Sequence, residues 1–168
     1  MGAGKSTIGR MLAEELGWRY IDNDAEIAEF SGLMMEELSK ISVDELHHHE
    51  NEYLTDLIQQ PGPYIAGAAG SVVDYPQNLE LLKSVTPIYL RISLEEIEPR
   101  AGLQGVGRAN LAGDLAAVLR ERFLRRDPIY REIAKYVIEL SDDPRSDAER
   151  ILTFLRKASK AQSPHVYP

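Results

Sequence analysis

The chain has no cysteine, so disulfides and thiolate-held metal sites are excluded from the outset. Long apolar runs are lacking as well. No stretch reaches the roughly 18–20 residues that a membrane-spanning helix needs, and no signal-peptide pattern opens the sequence. Basic residues are in deficit, with 19 Lys and Arg against 27 Asp and Glu and a net charge of −8. That balance argues against a broad nucleic-acid-binding surface, and an acidic protein that handles anions must gather its arginines locally. There is no internal repeat. A length of 168 residues suits one domain able to bury a real core. The class expected is a cytoplasmic domain with no nucleic-acid or membrane partner.

What is present begins at the first residues. Met1-Gly2-Ala3-Gly4-Lys5-Ser6 is the back half of a phosphate-binding loop, G-x-x-x-x-G-K-[ST], whose first glycine would lie two residues before Met1. In such a loop, successive backbone N–H groups form an anion nest, and the next helix directs its positive end at the same point. Lys5 would reach the β- and γ-phosphates and the Ser6 hydroxyl would ligate Mg²⁺. The plain alternative is a Gly-rich turn capping a helix. Ile8, Met11, Leu12 and Leu16 at helical spacing directly after G-A-G-K-S-T favour the phosphate reading. Such a loop hangs from the end of a buried parallel strand, so a strand-like apolar run is expected upstream of Met1.

Strands and helices then alternate. Strands are predicted at Trp18 to Ile21, Tyr64 to Gly67, Pro87 to Ile92 and Lys135 to Leu140. Helices are predicted directly after the glycine turn, through Ile8, Met11, Leu12 and Leu16, over Ala25 to Phe30, over Met35 to Gln60 with a break near Ser42, and over Asn78 to Ser84. Two more are predicted over Asp114 to Ala134, interrupted near Pro128, and over Ser146 to Ser159. Ser93 with Glu96 reads as a capping box, and the Gly/Ala-rich stretch Gly102 to Gly113 as a mobile loop. Alternation of this kind means a parallel sheet covered on both faces. Polar residues cluster where such a sheet binds ligands, just past the carboxyl ends of strands: Asp22-Asn23-Asp24 after one, Ala68-Ala69-Gly70 after another.

G-A-G-K-S-T, I-D-N-D-A-E-I, R-A-N-L-A-G and R-R-D-P-I-Y-R-E-I-A, in that order and spacing, resemble the shikimate kinase family from Met1 to about Leu155. The resemblance implies a three-layer α/β/α fold of the P-loop NTPase type, with its first, central strand absent from this sequence. It implies one domain over 1–160, with substrate-binding helices at about 25–60, a lid at about 102–113 and a disordered tail at 161–168. The implied reaction transfers the γ-phosphoryl group of ATP, with Mg²⁺, to the 3-hydroxyl of shikimate, in a protein expected to be monomeric.

The roles follow residue by residue. Gly2, Ala3, Gly4, Lys5, Ser6 and Thr7 would hold ATP, with Ser6 and Asp22 on the metal, Asp22 through water. Asp24 would bind the acceptor hydroxyls and take the proton, with turn or helix capping as the plain alternative for both aspartates. Arg108 matches a lid arginine that neutralises the transferred group, against the reading of a solvated loop arginine. Arg126 matches the arginine that grips the acceptor carboxylate, while Arg120, Arg122 and Arg125 on the same helix are mostly surface residues. Arg100 and Pro144, the latter in the Ser141 to Pro144 turn, would flank the adenine.

Two departures fall on the acceptor side. The family shows F-R-x-x-E where this chain reads Leu46-His47-His48-His49-Glu50, so His47 stands in place of an acceptor-binding arginine and cannot form its planar fork. The family's G-G-G-A-V is here Ala68-Ala69-Gly70-Ser71-Val72, with Gly70 retained to offer its N–H. Among the three histidines, Asp44 with His48 is the one pair spaced for a metal, against the simpler reading of a solvated helix face. Two alternatives stand beside the leading one: a kinase of the same fold acting on another small hydroxylated acid or sugar, and an inactive nucleotide-binding module.

Overall fold

A computed structural model describes residues 3–38, 40–97 and 115–162. Its elements run α1 (Lys5–Leu16), β1 (Arg19–Asp22), α2 (Asn23–Ser31), α3 (Met35–Leu38), α4 (Val43–Gln59) and β2 (Tyr64–Gly67). A 3₁₀ turn (Val72–Asp74), α5 (Pro76–Leu82), β3 (Ile88–Arg91), α6 (Leu115–Ile133), β4 (Tyr136–Glu139) and α7 (Pro144–Gln162) complete them.

Local chemistry sets most boundaries. Helix α1 opens after Gly4, at φ 70°, and closes at Gly17, at φ 67°, both left-handed positions that favour glycine. Its end is a Schellman motif: Gly17 N–H donates to Glu14 O and Trp18 N–H to Ala13 O, at 3.2 and 2.8 Å. Trp18 is thereby tied to the helix, which is why β1 starts one residue later than the pattern predicts. The break expected near Ser42 is a helix start. Ser42 Oγ accepts from Glu45 N–H, while Glu45 Oε2 accepts from Ser42 N–H, a reciprocal capping box. Helix α5 begins two residues before the predicted Asn78 because Pro76, with φ preset, takes its first position.

One expectation is corrected. Pro128 does not interrupt α6, which runs unbroken from Leu115 to Ile133. A proline removes one N–H and crowds one carbonyl. Here both flanks are anchored, Arg126 to Asp74 on one side and Tyr130 to Gly70 on the other, so tertiary contacts keep the two halves in one helix.

Strand pairing is parallel throughout. β1 pairs with β2 from Arg19↔Tyr64 to Asp22↔Gly67, and β3 pairs with β4 from Ile88↔Tyr136 to Arg91↔Glu139. Among the described residues the two pairs form separate two-stranded pieces, with no ladder joining β2 to β3. Helices cover both faces. On one, Ile8 and Leu12 of α1 meet Ala148, Ile151 and Leu152 of α7 over Ile138. On the other, Ile21 and Ile27 pack with Tyr53 and Leu57 of α4, and Leu54, Val72 and Leu82 pack beneath Ile129 and Tyr130 of α6. The result is a three-layer α/β/α sandwich.

Tyr20 of β1 sets the spacing of α1 against the first strand pair. A Cβ on Gly9 would fall 2.3 Å from the Tyr20 ring, and one on Gly67 would fall 2.6 Å from its hydroxyl oxygen. Only glycine permits so close an approach at either place.

Candidate active site

A cavity of about 1570 Å³ runs from the glycine turn at the start of α1 into the space between β2 and β3. Its lining is partly apolar, with Leu12, Ile65, Ile88 and Leu90, and partly polar, with Lys5, Ser6, His47 and Arg126. The lining includes Gly67 at the carboxyl end of β2 and Ala68 to Ser71 of the turn that follows, where a parallel sheet presents its ligand-binding residues.

On the phosphate side, Ala3, Gly4, Lys5, Ser6 and Thr7 line this cavity. The Gly4 carbonyl accepts from Ile8 N–H at 2.9 Å, so the helix begins at once and the amides of its first turn have no intrahelical acceptor. Lys5 and Ser6 are half-buried. Among the described residues no carboxylate stands within ion-pair distance of Lys5 Nζ, which leaves its charge for an anion brought from outside. Gly2 lies outside the described residues.

Asp22 ends β1 and stands at the N-cap position of α2, yet its side chain caps nothing. It approaches the exposed Arg10 guanidinium at 3.5 Å instead. Asp24 sits in the first turn of α2, and its side chain lies outside the described residues. Asp22 and Pro144 do not line the cavity; Pro144 is exposed at the head of α7. Arg100, Arg108 and the 102–113 stretch fall outside the described residues.

His47, Gly70 and Arg126, the residues expected on the acceptor side, line the same cavity. Arg126 projects from α6 and holds Asp74 through Nε and Nη2, at 3.0 and 2.5 Å. Its charge persists despite burial: desolvation works against the guanidinium, but the hydrogen bond and proximity of Asp74 raise its pKa above the ordinary arginine value. One turn further along, Tyr130 donates its hydroxyl to Gly70 O at 2.8 Å. Burial pushes that phenol up to about 12, so it stays a donor at neutral pH.

His47 is half-buried and shares a 2.8 Å hydrogen bond between Nδ1 and the Tyr75 hydroxyl, its ring edge-on to the tyrosine. Its Nε2 stands 4.0 Å from the buried Glu50 carboxylate, which accepts from Ser71 Oγ in a short hydrogen bond. His48 is exposed and pairs with Glu52 at 3.4 Å, consistent with a solvated face. Among the described residues no cluster of three or more His, Cys, Asp or Glu could hold a metal ion.

Several residues here carried no signal of their own in the sequence. Asp74 and Tyr75 read as loop residues between an acceptor turn and a helix. Glu50 was legible only as the last letter of F-R-x-x-E. Behind them, Asp127 anchors α6 to the second strand pair, accepting from Arg91 Nε at 2.7 Å, Tyr89 at 3.0 Å and Arg131 at 3.0 Å. Burial alone would raise the Asp127 pKa; the Arg91 and Tyr89 hydrogen bonds overcome it and hold the carboxyl below the ordinary range.

A glycine turn whose lysine has no carboxylate partner among the described residues shares one cavity with Arg126 and the Gly70 turn. The family model for shikimate kinase matches residues 1–156. The chain belongs to the shikimate kinase family. It is 29% identical over 161 residues to the shikimate kinase of Neisseria gonorrhoeae, covering 95% of this chain and 92% of that one. It is 33% identical over 159 residues to the shikimate kinase of Pseudomonas aeruginosa, covering 94% and 92%. The shikimate kinase of Acinetobacter baumannii, solved in complex with shikimate, superposes with a TM-score of 0.81 at 30% identity, covering 94% of this chain and 89% of that one. The Aquifex aeolicus shikimate kinase, at 23% identity, shares the fold with a TM-score of 0.75 over 95% and 93% of the two chains.

Proposed function

We propose that this member of the shikimate kinase family transfers the γ-phosphoryl group of ATP to the 3-hydroxyl of shikimate. The observation that carries the reading is that the Gly4–Thr7 turn, Gly70 and Arg126 line the same cavity. The Acinetobacter baumannii relative with bound shikimate supports the acceptor class.

In this reading the turn amides and Lys5 bind the β- and γ-phosphates. Lys5 neutralises charge as it builds on the transferred group. The Ser6 hydroxyl and the Asp22 carboxylate are hard oxygen donors of the kind Mg²⁺ takes, and would hold it, Asp22 through water. The ion, when bound, offsets charge across the phosphate oxygens. Asp24 takes the proton from the acceptor hydroxyl, Arg126 holds the acceptor carboxylate, and Gly70 offers its N–H. Arg108, in the 102–113 lid, closes on the phosphates, and Arg100 and Pro144 flank the adenine. The kinase domain spans 1–160, with helices over 25–60 on the acceptor side. It acts as a cytoplasmic monomer without nucleic-acid or membrane partners; among the described residues no helix is long and apolar enough to cross a membrane.

A second reading, a different hydroxylated acid or sugar as acceptor, is favoured by His47, whose ring is engaged by Tyr75 where the family carries an arginine. A coupled ADP-release assay over shikimate, other polyhydroxy acids and sugars separates the cases. Turnover of shikimate is expected. Turnover of another acceptor alone selects the second reading, and ATP binding without turnover across the panel removes both.

A further inference from the structure

The acceptor turn and α6 are joined at two points one helical turn apart. Tyr130 reaches the carbonyl of Gly70, and Arg126 reaches Asp74, the last residue of the 3₁₀ turn that follows. Asp74 is itself braced on the acceptor turn, its N–H donating to Ser71 O at 2.8 Å.

The Arg126–Asp74 pair has a definite geometry. Asp74 takes the Nε and Nη2 edge of the guanidinium side-on. Nη1 lies on the other side, 3.7 Å from where a Cβ on Gly70 would stand. A guanidinium has five N–H donors, and side-on pairing uses two of them. The Nη1 group therefore faces the retained glycine of the acceptor turn while the opposite edge is clamped. Both partners are mostly buried, with side chains 15% and 13% exposed, so the clamp is shielded from water.

Asp74 Oδ2 also accepts from Arg125 at 3.3 Å, and Arg125 in turn pairs with Glu121 at 3.6 Å. The other nearby carboxylate, Glu50, accepts from the Ser71 hydroxyl and stands 4.0 Å from His47, and it acts on Arg126 through space. An anion at Gly70 thus meets a fixed guanidinium edge. With a histidine at position 47, Arg126 is the arginine that remains of the two the resemblance directs at the acceptor carboxylate.

We infer that Asp74 is a positioning residue for carboxylate-bearing acceptors, turning the free edge of Arg126 toward Gly70 and so setting the preference for an acid over its uncharged analogue. The inference rests on the proposed assignment of Arg126 to the acceptor carboxylate. A rotating arginine loses orientational entropy on each binding event, and Asp74 removes that cost beforehand.

The test compares shikimate with its methyl ester in wild type, Asp74→Asn and Asp74→Ala, with MgATP affinity measured in each. Both variants should raise the KM for shikimate about tenfold, the scale of one charge-assisted contact, with kcat and MgATP affinity within about twofold of wild type. The preference for acid over ester should shrink by the same factor. In an Arg126→Gln background, Asp74→Asn should change nothing further. Tighter shikimate binding in Asp74→Asn would make the aspartate a competitor for Arg126 and overturn the inference. An equal loss for acid and ester, or loss of MgATP binding in both variants, would make its role one of folding and overturn it too. Absence of shikimate turnover in the wild type removes the functional reading itself; a working wild type with an unchanged acid-to-ester ratio removes this inference alone.

Discussion

Lys5 is a half-buried cation in the first turn of α1, with no carboxylate partner among the described residues. Lys5→Met should lower kcat by roughly 10²–10³-fold, the usual scale for removing one preorganised donor from a transition state. The protein should stay folded, because the side chain packs no core. A kcat within tenfold of wild type in the ADP-release assay would remove Lys5 from the transition state. At His47 the expectation runs the other way. An arginine there has Glu50 three residues on to orient it and is long enough to reach the cavity. His47→Arg should lower the KM for shikimate by tenfold or more, from one regained charge-assisted contact worth about 1.5–3 kcal/mol. An unchanged KM places residue 47 off the acceptor. Single residues were read unevenly from the sequence. Gly4 and Lys5 announce themselves because the phosphate loop is a contiguous string. Asp74 and Glu50 do not, since what defines them is a partner 52 or 21 residues away.

Among the elements, α6 carries Arg126, proposed for the acceptor, and its seat on the second strand pair is electrostatic. Asp127 holds Arg91, Tyr89 and Arg131 together at the carboxyl end of β3. Because its folded pKa lies below its unfolded value, the ionised carboxylate stabilises the fold at all pH values above the unfolded value of about 4. That contribution disappears as pH falls through the lower folded value. Asp127→Asn should therefore be less stable than wild type near neutrality, and the gap should start to close below about pH 4 and vanish once pH has fallen through the lower folded value, in acid unfolding followed by circular dichroism. Parallel acid limbs offset by a constant would mean that Asp127 acts without its charge. Element by element, the sequence was most legible where a boundary has local chemistry: Ser42 with Glu45, Pro76, and the four strand cores all lie close to their predicted places. It was least legible at Pro128, where contacts distant in sequence override a local helix breaker.

For the whole molecule, alternation of strands and helices was enough to give the parallel, two-faced sandwich. It did not reveal how tightly the layers approach one another, because contact between a helix and a strand has no periodicity. The Tyr20 ring is the clearest case, seated between Gly9 of α1 and Gly67 of β2. Gly67→Ala puts a methyl 2.6 Å from the Tyr20 hydroxyl oxygen, and Gly9→Ala puts one 2.3 Å from the ring itself. Both variants should lose about 1–3 kcal/mol in urea unfolding, the usual cost of overpacking, even though alanine is the better helix former at Gly9. Tyr20→Phe should recover stability for Gly67→Ala and not for Gly9→Ala; recovery in both, or in neither, would contradict the placement of the ring. The tyrosine is a shim. The helix proposed to grip the nucleotide tail and the strand that leads into the proposed acceptor turn bear on the same slab of carbon, so in that reading its thickness fixes how far apart donor and recipient can stand. Evolution or engineering that altered that one dimension would retune the distance of the reaction without touching a single group that performs it.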